Sequence, residues 1–254
     1  MEKIIVFLLF SVILLFSCST KGSKSEIGEQ AIEVYQPNFS PKDTLSVAFL
    51  IINGVYNTEF TAAFDIFHHT IFRDGIKPMK VFSITPTDSI IKTFEGVKII
   101  PDYTFKDSHP EIDILAVPSA EHHLDADLEN EMLINWVSET GKITKFNISF
   151  CDGAFVFAKA GLLDYVECTT FPSDIDKMQA MVPKAKLYKD VLWVHDKNMI
   201  TSSGGAKSFE PALYLCELLY GKQVAVDIAK GMVIDWNLNK HSFISPYTPN
   251  FSKK

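Results

Sequence analysis

The sequence has little of what nucleic-acid-binding and metal-binding proteins need. Its 24 basic residues are outnumbered by 31 acidic ones, giving a net charge of -7, whereas a nucleic-acid surface requires a basic patch. We therefore expect no nucleic-acid partner. The cysteines show neither C-x-x-C spacing nor zinc-ligand spacing with histidine, which excludes a disulfide framework and predicts no metal site. No glycine-rich phosphate loop or dinucleotide fingerprint is present, so we predict no cofactor. The cysteines are Cys18, Cys151, Cys168 and Cys216.

The N-terminus has the pattern of a targeting segment rather than of a folded element. Lys3 precedes an apolar run, Ile4 to Phe16, that is short for a membrane-spanning helix. The run closes on Leu15-Phe16-Ser17-Cys18, which resembles the lipobox of bacterial lipoproteins. That resemblance implies a signal peptide over residues 1–17 and a diacylated Cys18 that anchors the protein to a membrane of the bacterial cell envelope, facing the periplasm or exterior. An ordinary secretory signal and an uncleaved anchor are the alternatives.

The rest of the chain predicts one α/β domain over residues 45–236, preceded by a polar tether (18–44) and followed by a tail (237–254). Apolar runs typical of buried parallel strands alternate with helical patterns. This alternation predicts a three-layer α/β/α sandwich with a mostly parallel sheet. The main predicted elements are strands Leu45–Ile52, Lys80–Thr85, Ile112–Val117 and Ile143–Phe150, and helices Thr58–Phe72, Leu124–Thr140 (capped by Gly141), Phe155–Leu163, Phe209–Tyr220 and Gln223–Ile234.

One strand runs directly into a helix at Cys151-Asp152-Gly153. A sharp turn of this kind holds its corner side chain out over the sheet edge, as the nucleophile elbow of hydrolases does. The alternative is a buried structural cysteine, the usual fate of a free thiol. Ligands of a parallel sheet bind at the C-terminal ends of its strands. Three predicted corners share that edge, namely Gly54–Glu59, Ser119–His123 and Cys151–Asp152.

Five stretches resemble the ThiJ/PfpI family of the class I glutamine amidotransferase-like superfamily, with isonitrile hydratases and the sensor halves of AraC-type regulators as the most similar branch. No helix-turn-helix domain is expected after Trp236. The stretches are Val47–Phe67, Asp113–Pro118, Ser149–Asp164, Thr169-Thr170 with Ile200–Gly204, and the Leu213–Gly221 helix.

The resemblance implies a flavodoxin-like sheet, a homodimer and a small-molecule site. By it, Cys151 is the reactive cysteine, Glu59 is the acidic residue that touches the sulfur, and the amides around Ala120 and Asp152 bind an oxyanion. The helix N-terminus should lower the thiol pKa. Burial should hold Glu59 neutral, so that it donates a proton.

Three positions depart from the family pattern. Ser119-Ala120 stands where two glycines are usual, and Phe171 stands where many relatives have a histidine. Asp152 places a second carboxylate beside the thiol, which should raise the thiol pKa unless the side chain points outward. His122 or His123 is the predicted replacement base, and a solvated loop pair is the alternative.

Two main functions follow. The first is a cysteine-dependent, metal-independent lyase or hydrolase acting on a small electrophile, similar to isonitrile hydratases, glyoxalases or amidases. The second is a non-catalytic envelope protein that binds a small molecule or senses oxidants through Cys151. A purely structural lipoprotein ranks last because it explains none of the residues at the sheet edge.

Overall fold

The computed structural model describes residues 43–246. The predicted signal peptide, Cys18 and nearly all of the predicted tether lie outside the described residues. Within the described range, no helix is long and apolar enough to cross a membrane.

An eight-stranded sheet forms the centre of the fold in the described residues. Its strands are β1 (Ser46–Leu50), β2 (Lys80–Thr85), β5 (Tyr103–Thr104), β6 (Ile114–Val117), β7 (Phe146–Phe150), β10 (Trp193–Asp196), β11 (Met199–Ser202) and β12 (Phe243–Ile244). They lie in the spatial order β12-β10-β11-β7-β6-β1-β2-β5, and every neighbouring pair is parallel except β10 and β11. Two small ribbons accompany the sheet, β3 (Ile91–Lys92) with β4 (Lys98–Ile99), and β8 (Glu167–Cys168) with β9 (Lys186–Leu187).

Helices cover both faces of the sheet, as predicted. One hydrophobic cluster joins the sheet to α1, α5 and α6, and a second joins it to α2, α3 and α4. The strands β1, β6 and β7 are buried along their whole length, which explains the apolar runs of β1 and β6. The helices are α1 (Asn57–His68), α2 (Glu131–Ile143), α3 (Gly153–Lys159), α4 (Ile175–Met181), α5 (Phe209–Tyr220) and α6 (Lys222–Gly231).

The predicted helix over Leu124–Thr140 differs from the structure at both ends. The Asn130 side chain accepts a hydrogen bond from Leu133 N–H at 3.2 Å, so it caps α2 there, after a separate 3-10 turn. The predicted cap at Gly141 is wrong, because α2 continues to Ile143. A Cβ at position 141 would collide with Leu162. Gly141 therefore allows α2 to pack closely against Leu162 and does not end the helix.

The predicted tail contributes to the sheet. Phe243 and Ile244 pair in parallel with Trp193 and Val194 of β10, so the folded domain extends beyond residue 236. The sequence also predicts short strands over Val97–Ile100, Val166–Thr170 and Ala185–Tyr188, and the structure has β4, β8 and β9 within them. The short helix α4 and the strand β3 were not predicted, because each is too brief to show a hydrophobic period.

Candidate active site

Cys151 occupies a strained corner between β7 and α3. Its φ of 52° lies in the left-handed region, which non-glycine residues rarely adopt. Its N–H donates to the Ser202 carbonyl at 3.0 Å, so the corner is tied to the end of β11. A Cβ on Gly153 would overlap the Val117 carbonyl, and one on Gly204 would overlap Cys151 itself. Backbone from two neighbouring strand ends therefore packs tightly around the corner.

Glu59 reaches this corner from the first turn of α1. One carboxyl oxygen accepts from Ser119 N–H at 2.9 Å and the other from Gly205 N–H at 3.0 Å. The side chain also hydrogen-bonds the Cys151 thiol. Glu59 is only 4% exposed, and this burial raises its pKa even though the two amides lower it. The direction agrees with the predicted proton-carrying role.

The thiol pKa moves upward, in the direction predicted for Asp152 and opposite to the one predicted for the helix N-terminus. Cys151 is 8% exposed, and burial raises its pKa, as do the carboxylates of Glu59 and Asp152. The Asp152 amide, which donates toward the sulfur, lowers the pKa by a smaller amount. Desolvation and two nearby negative charges thus outweigh the Asp152 amide, and they favour the protonated thiol.

Asp152 lies against the thiol. Its carboxyl group interacts with the Cys151 side chain and accepts from Thr170 Oγ1 at 3.2 Å. Burial and then the charge of Asp174 raise the Asp152 pKa to about 6. Asp152, one of the three departures from the family pattern, therefore acts directly on the Cys151 sulfur.

Neither predicted replacement base is suited to activate Cys151. His122 lies in the exposed loop, where Nδ1 is 3.2 Å from Asp125 Oδ1. His123 is 2% exposed, its Nδ1 accepts from Ala120 N–H at 3.1 Å, and burial lowers its pKa to about 3. Its Nε2 is 3.9 Å from Asp127 Oδ2, too long for a hydrogen bond. Its imidazole is therefore neutral and already engaged.

The amides predicted to bind an oxyanion both have partners in this structure. That of Ala120 donates to His123 and that of Asp152 donates toward the Cys151 sulfur. Their oxyanion role stays a prediction. Phe171 follows Thr170 at the place of the expected histidine and is 40% exposed. Thr170 contacts the site instead, because its Oγ1 donates hydrogen bonds to the Cys151 carbonyl and to the Asp152 carboxyl group.

The three predicted corners meet as expected. Val55 forms a β-bridge with Ala120, and Tyr56 N–H donates to the Ser119 carbonyl at 3.0 Å. The sequence did not indicate that the Gly205 amide binds Glu59, nor that Tyr56 lies near Cys151. The pKa of Tyr56 is raised by burial and then by the charge of Cys151. The Gly204-Gly205 pair directly after a strand was the available signal. Nothing in the local pattern around Tyr56 indicated its position.

The profile of the DJ-1/PfpI family matches residues 45–218. Protein dj-1beta of Drosophila melanogaster is 26% identical over 197 residues, covering 76% of this chain and 98% of that protein. DJ-1 homolog B of Arabidopsis thaliana is 24% identical over 204 residues, covering 80% of this chain and 44% of that protein.

Solved structures agree on the fold. A ThiJ/PfpI family protein from Pseudomonas syringae superposes with a TM-score of 0.69 at 19% identity, covering 83% of this chain and 84% of that one. An AraC family transcriptional regulator from Pseudomonas putida superposes with a TM-score of 0.61 at 16% identity, covering 74% and 99%. The profile covers more than half of the sequence and includes the Cys151 corner and Glu59. The chain belongs to the DJ-1/PfpI family.

Proposed function

We propose that this protein is an enzyme whose Cys151 thiol adds to a small electrophilic carbon, with Glu59 carrying the proton. One observation supports this above all others. A buried carboxyl group, fixed by two backbone amides, is hydrogen-bonded to a thiol displayed at a strained corner. A nucleophile beside an oriented proton acceptor is the arrangement that covalent catalysis needs.

The first step is an addition in which every atom is retained. Neutral Glu59 donates its proton to the substrate as the sulfur bonds to the electrophilic carbon, and the carboxylate so formed takes the thiol proton. A carbonyl substrate gives a hemithioacetal. An isonitrile gives a thioformimidate, and addition of water with cleavage of the carbon–sulfur bond releases the formamide and regenerates the Cys151 thiol. The raised pKa of Glu59 makes its carboxylate a stronger base than a solvated one.

Proton donation by Glu59 also compensates for the occupied amides. An oxyanion hole is needed when negative charge builds up on oxygen. With the Ala120 amide bonded to His123, the charge that develops on the substrate, at the oxygen of an aldehyde or at the terminal carbon of an isonitrile, is better neutralised by direct protonation. A concerted transfer of this kind favours isonitrile and aldehyde substrates over amides, because amide hydrolysis also needs a proton delivered to the leaving amine.

Glu59→Gln separates proton transfer from simple thiol reactivity. Removing the carboxylate charge beside Cys151 should lower the thiol pKa and speed alkylation by iodoacetamide near pH 8. Turnover on an isonitrile and glyoxal panel should fall by about 10²- to 10⁴-fold, the usual contribution of a general acid–base group. Glu121→Gln is the matched control, and Cys151→Ser the inactive reference. Turnover that survives Cys151→Ser, or that is unchanged in Glu59→Gln, would falsify the proposal.

Oxidant sensing is the second candidate, and the four occupied amides favour it. The amides of Ser119 and Gly205 bind Glu59, that of Ala120 binds His123, and that of Asp152 faces the sulfur. Peroxide would oxidise the sulfur first to a sulfenic and then to a sulfinic acid, with release of water at each step. A Cys151 peptide heavier by two oxygens, in a protein that turns over no member of the panel, supports sensing over catalysis.

We also propose that Cys18 carries a lipid and holds the domain at an envelope membrane. The support is the lipobox-like Leu15-Phe16-Ser17-Cys18 sequence. Labelling with a fatty-acid probe and membrane fractionation test it, with Cys18→Ser as the control. Equal membrane association of both proteins speaks against lipidation. The proposed homodimer is tested by light scattering on the same samples.

A further inference from the structure

We infer that Asp152 determines specificity, and that its carboxylate directs the Cys151 site toward neutral and cationic electrophiles and against anionic ones such as 2-oxo acids. The inference rests on the proposed reactivity of Cys151 and names the substrate class for it. It concerns a residue at which this chain departs from the pattern of the family it resembles.

The position of Asp152 makes its charge felt at the reacting atom. Its amide and its carboxyl group both interact with the Cys151 side chain. Thr170 Oγ1, 3.2 Å from Asp152 Oδ1 and 3.1 Å from the Cys151 carbonyl, holds the carboxyl group beside the corner. Asp152 is partly exposed whereas Cys151 is buried. A molecule that reaches the sulfur therefore approaches this carboxylate.

Other acidic groups surround the same corner. The charged groups that act most strongly on the pKa values of Cys151, Asp152 and Glu59 are carboxylates, contributed by Glu59, Asp152, Asp174 and Glu95. Glu121 joins them near Tyr56. Lys207 is the first lysine after Gly205 in the sequence. Its Nζ lies 3.1 Å from Glu210 Oε1, so its charge is already paired. The site thus presents a negative field to an incoming substrate.

The field changes affinity and rate with the sign of the substrate charge. Two unit charges about 6 Å apart in a partly solvated site change an equilibrium by roughly tenfold. A cationic reagent should therefore react about tenfold faster than a neutral one of equal intrinsic reactivity, and an anionic one about tenfold slower. Asp152 should supply most of this difference because it lies against the sulfur and is only partly exposed.

Methanethiosulfonates of three charges measure this selection with one chemistry. The Cys151 sulfur forms a disulfide with the reagent's sulfenyl sulfur, methanesulfinate leaves, and the thiol proton goes to Glu59 or water. The full-length chain in detergent is treated with the trimethylammonioethyl, methyl and sulfonatoethyl reagents, and the Cys151 peptide is followed by mass spectrometry. Rates are corrected for each reagent's rate with a free thiol.

Asp152→Asn should lower the cationic-to-anionic rate ratio by at least tenfold, whereas Asp152→Glu should retain most of it. Asp174→Asn, a half-buried neighbour that does not contact the sulfur, is the matched control and should change the ratio by less than about threefold. Raising the salt concentration to 1 M should bring the cationic-to-anionic rate ratio of the wild-type protein closer to one, because salt screens the charges.

The outcomes separate the two proposals. If the neutral reagent fails to modify wild-type Cys151, the reactive site itself is refuted and this inference falls with it. If the neutral reagent reacts but the ratio is near one, or is equal in wild type and Asp152→Asn, only the role of Asp152 is refuted. A ratio that follows the charge of residue 152 supports the inference.

Discussion

Cys216 and Cys151 are both buried, but one lies among apolar side chains and the other among polar groups. Cys216 lies in the middle of α5, is 0% exposed, and has a pKa raised by burial alone. Cys151 is 8% exposed, stands at a left-handed corner, and interacts with two carboxyl groups and an amide. Both thiols are protonated at rest. Burial therefore does not distinguish a functional cysteine from a packing residue, whereas polar partners that can move its proton do.

The largest expected effect comes from breaking the backbone fit that holds the Cys151 corner. Gly153→Ala places a Cβ on the Val117 carbonyl, and a clash with backbone cannot be relieved by a rotamer change. We expect a loss of about 4 kcal/mol or more in the free energy of unfolding, or failure to fold. Urea denaturation measures it. Gly161→Ala, at a left-handed glycine with open space around it, should cost only about 1–2 kcal/mol; equal losses would contradict this explanation.

A third buried titratable group, His123, extends the comparison to acid stability. Its pKa is about 3 in the folded protein and about 6.5 in an unfolded chain. The unfolded state therefore binds the proton first as pH falls, and stability is lost from pH 6.5 downward. The loss should reach about 3 kcal/mol at pH 4. His123→Asn, which retains an acceptor for Ala120 N–H, should lack it in denaturation series at pH 7 and pH 4. A parallel decline in both proteins would show that His123 is not responsible.

Serine substitutions compare the two cysteines directly. At position 216 the new hydroxyl is buried among apolar side chains, so Cys216→Ser should lower the free energy of unfolding by about 2 kcal/mol. At position 151 the hydroxyl finds Glu59 and Asp152, so we expect a loss below about 1 kcal/mol together with loss of thiol reactivity. Denaturation curves of both variants decide the point. A larger loss at position 151 than at position 216 would reverse the comparison.

The smallest expected effect concerns the charge of Asp152. Its folded pKa of about 6 exceeds the unfolded value of about 3.9. Its contribution to stability is thus complete at low pH and is lost as pH rises from about 4 to 6. Allowing for its partial exposure, we expect Asp152→Asn to be about 1 kcal/mol more stable than wild type at pH 7, with the difference smaller at pH 4. A variant that is less stable at pH 7 would indicate that the Thr170 bond dominates.

Much of the fold follows from local sequence patterns. The bounds of β2 and α5 agree with the prediction residue for residue, and the parallel core strands coincide with the apolar runs. Such patterns are reliable because a buried strand or an amphipathic helix depends on neighbours a few residues away. The boundary errors at Gly141 and in the last segment arose where packing against distant chain decides, as Leu162 does for Gly141.

By itself the sequence determined the α/β order, the strand-to-helix corner at Cys151, and the approach of Glu59 to it. Only the tertiary structure decided which groups of the site form hydrogen bonds with one another and how their pKa values shift. Glu59 is held by amides 60 and 146 residues away along the chain, His123 turns inward to bind Ala120, and Asp152 lies against the thiol and raises its pKa. The physical reason is that hydrogen-bond partners and desolvation are set by which loops pack together, and these contacts leave no period in the sequence.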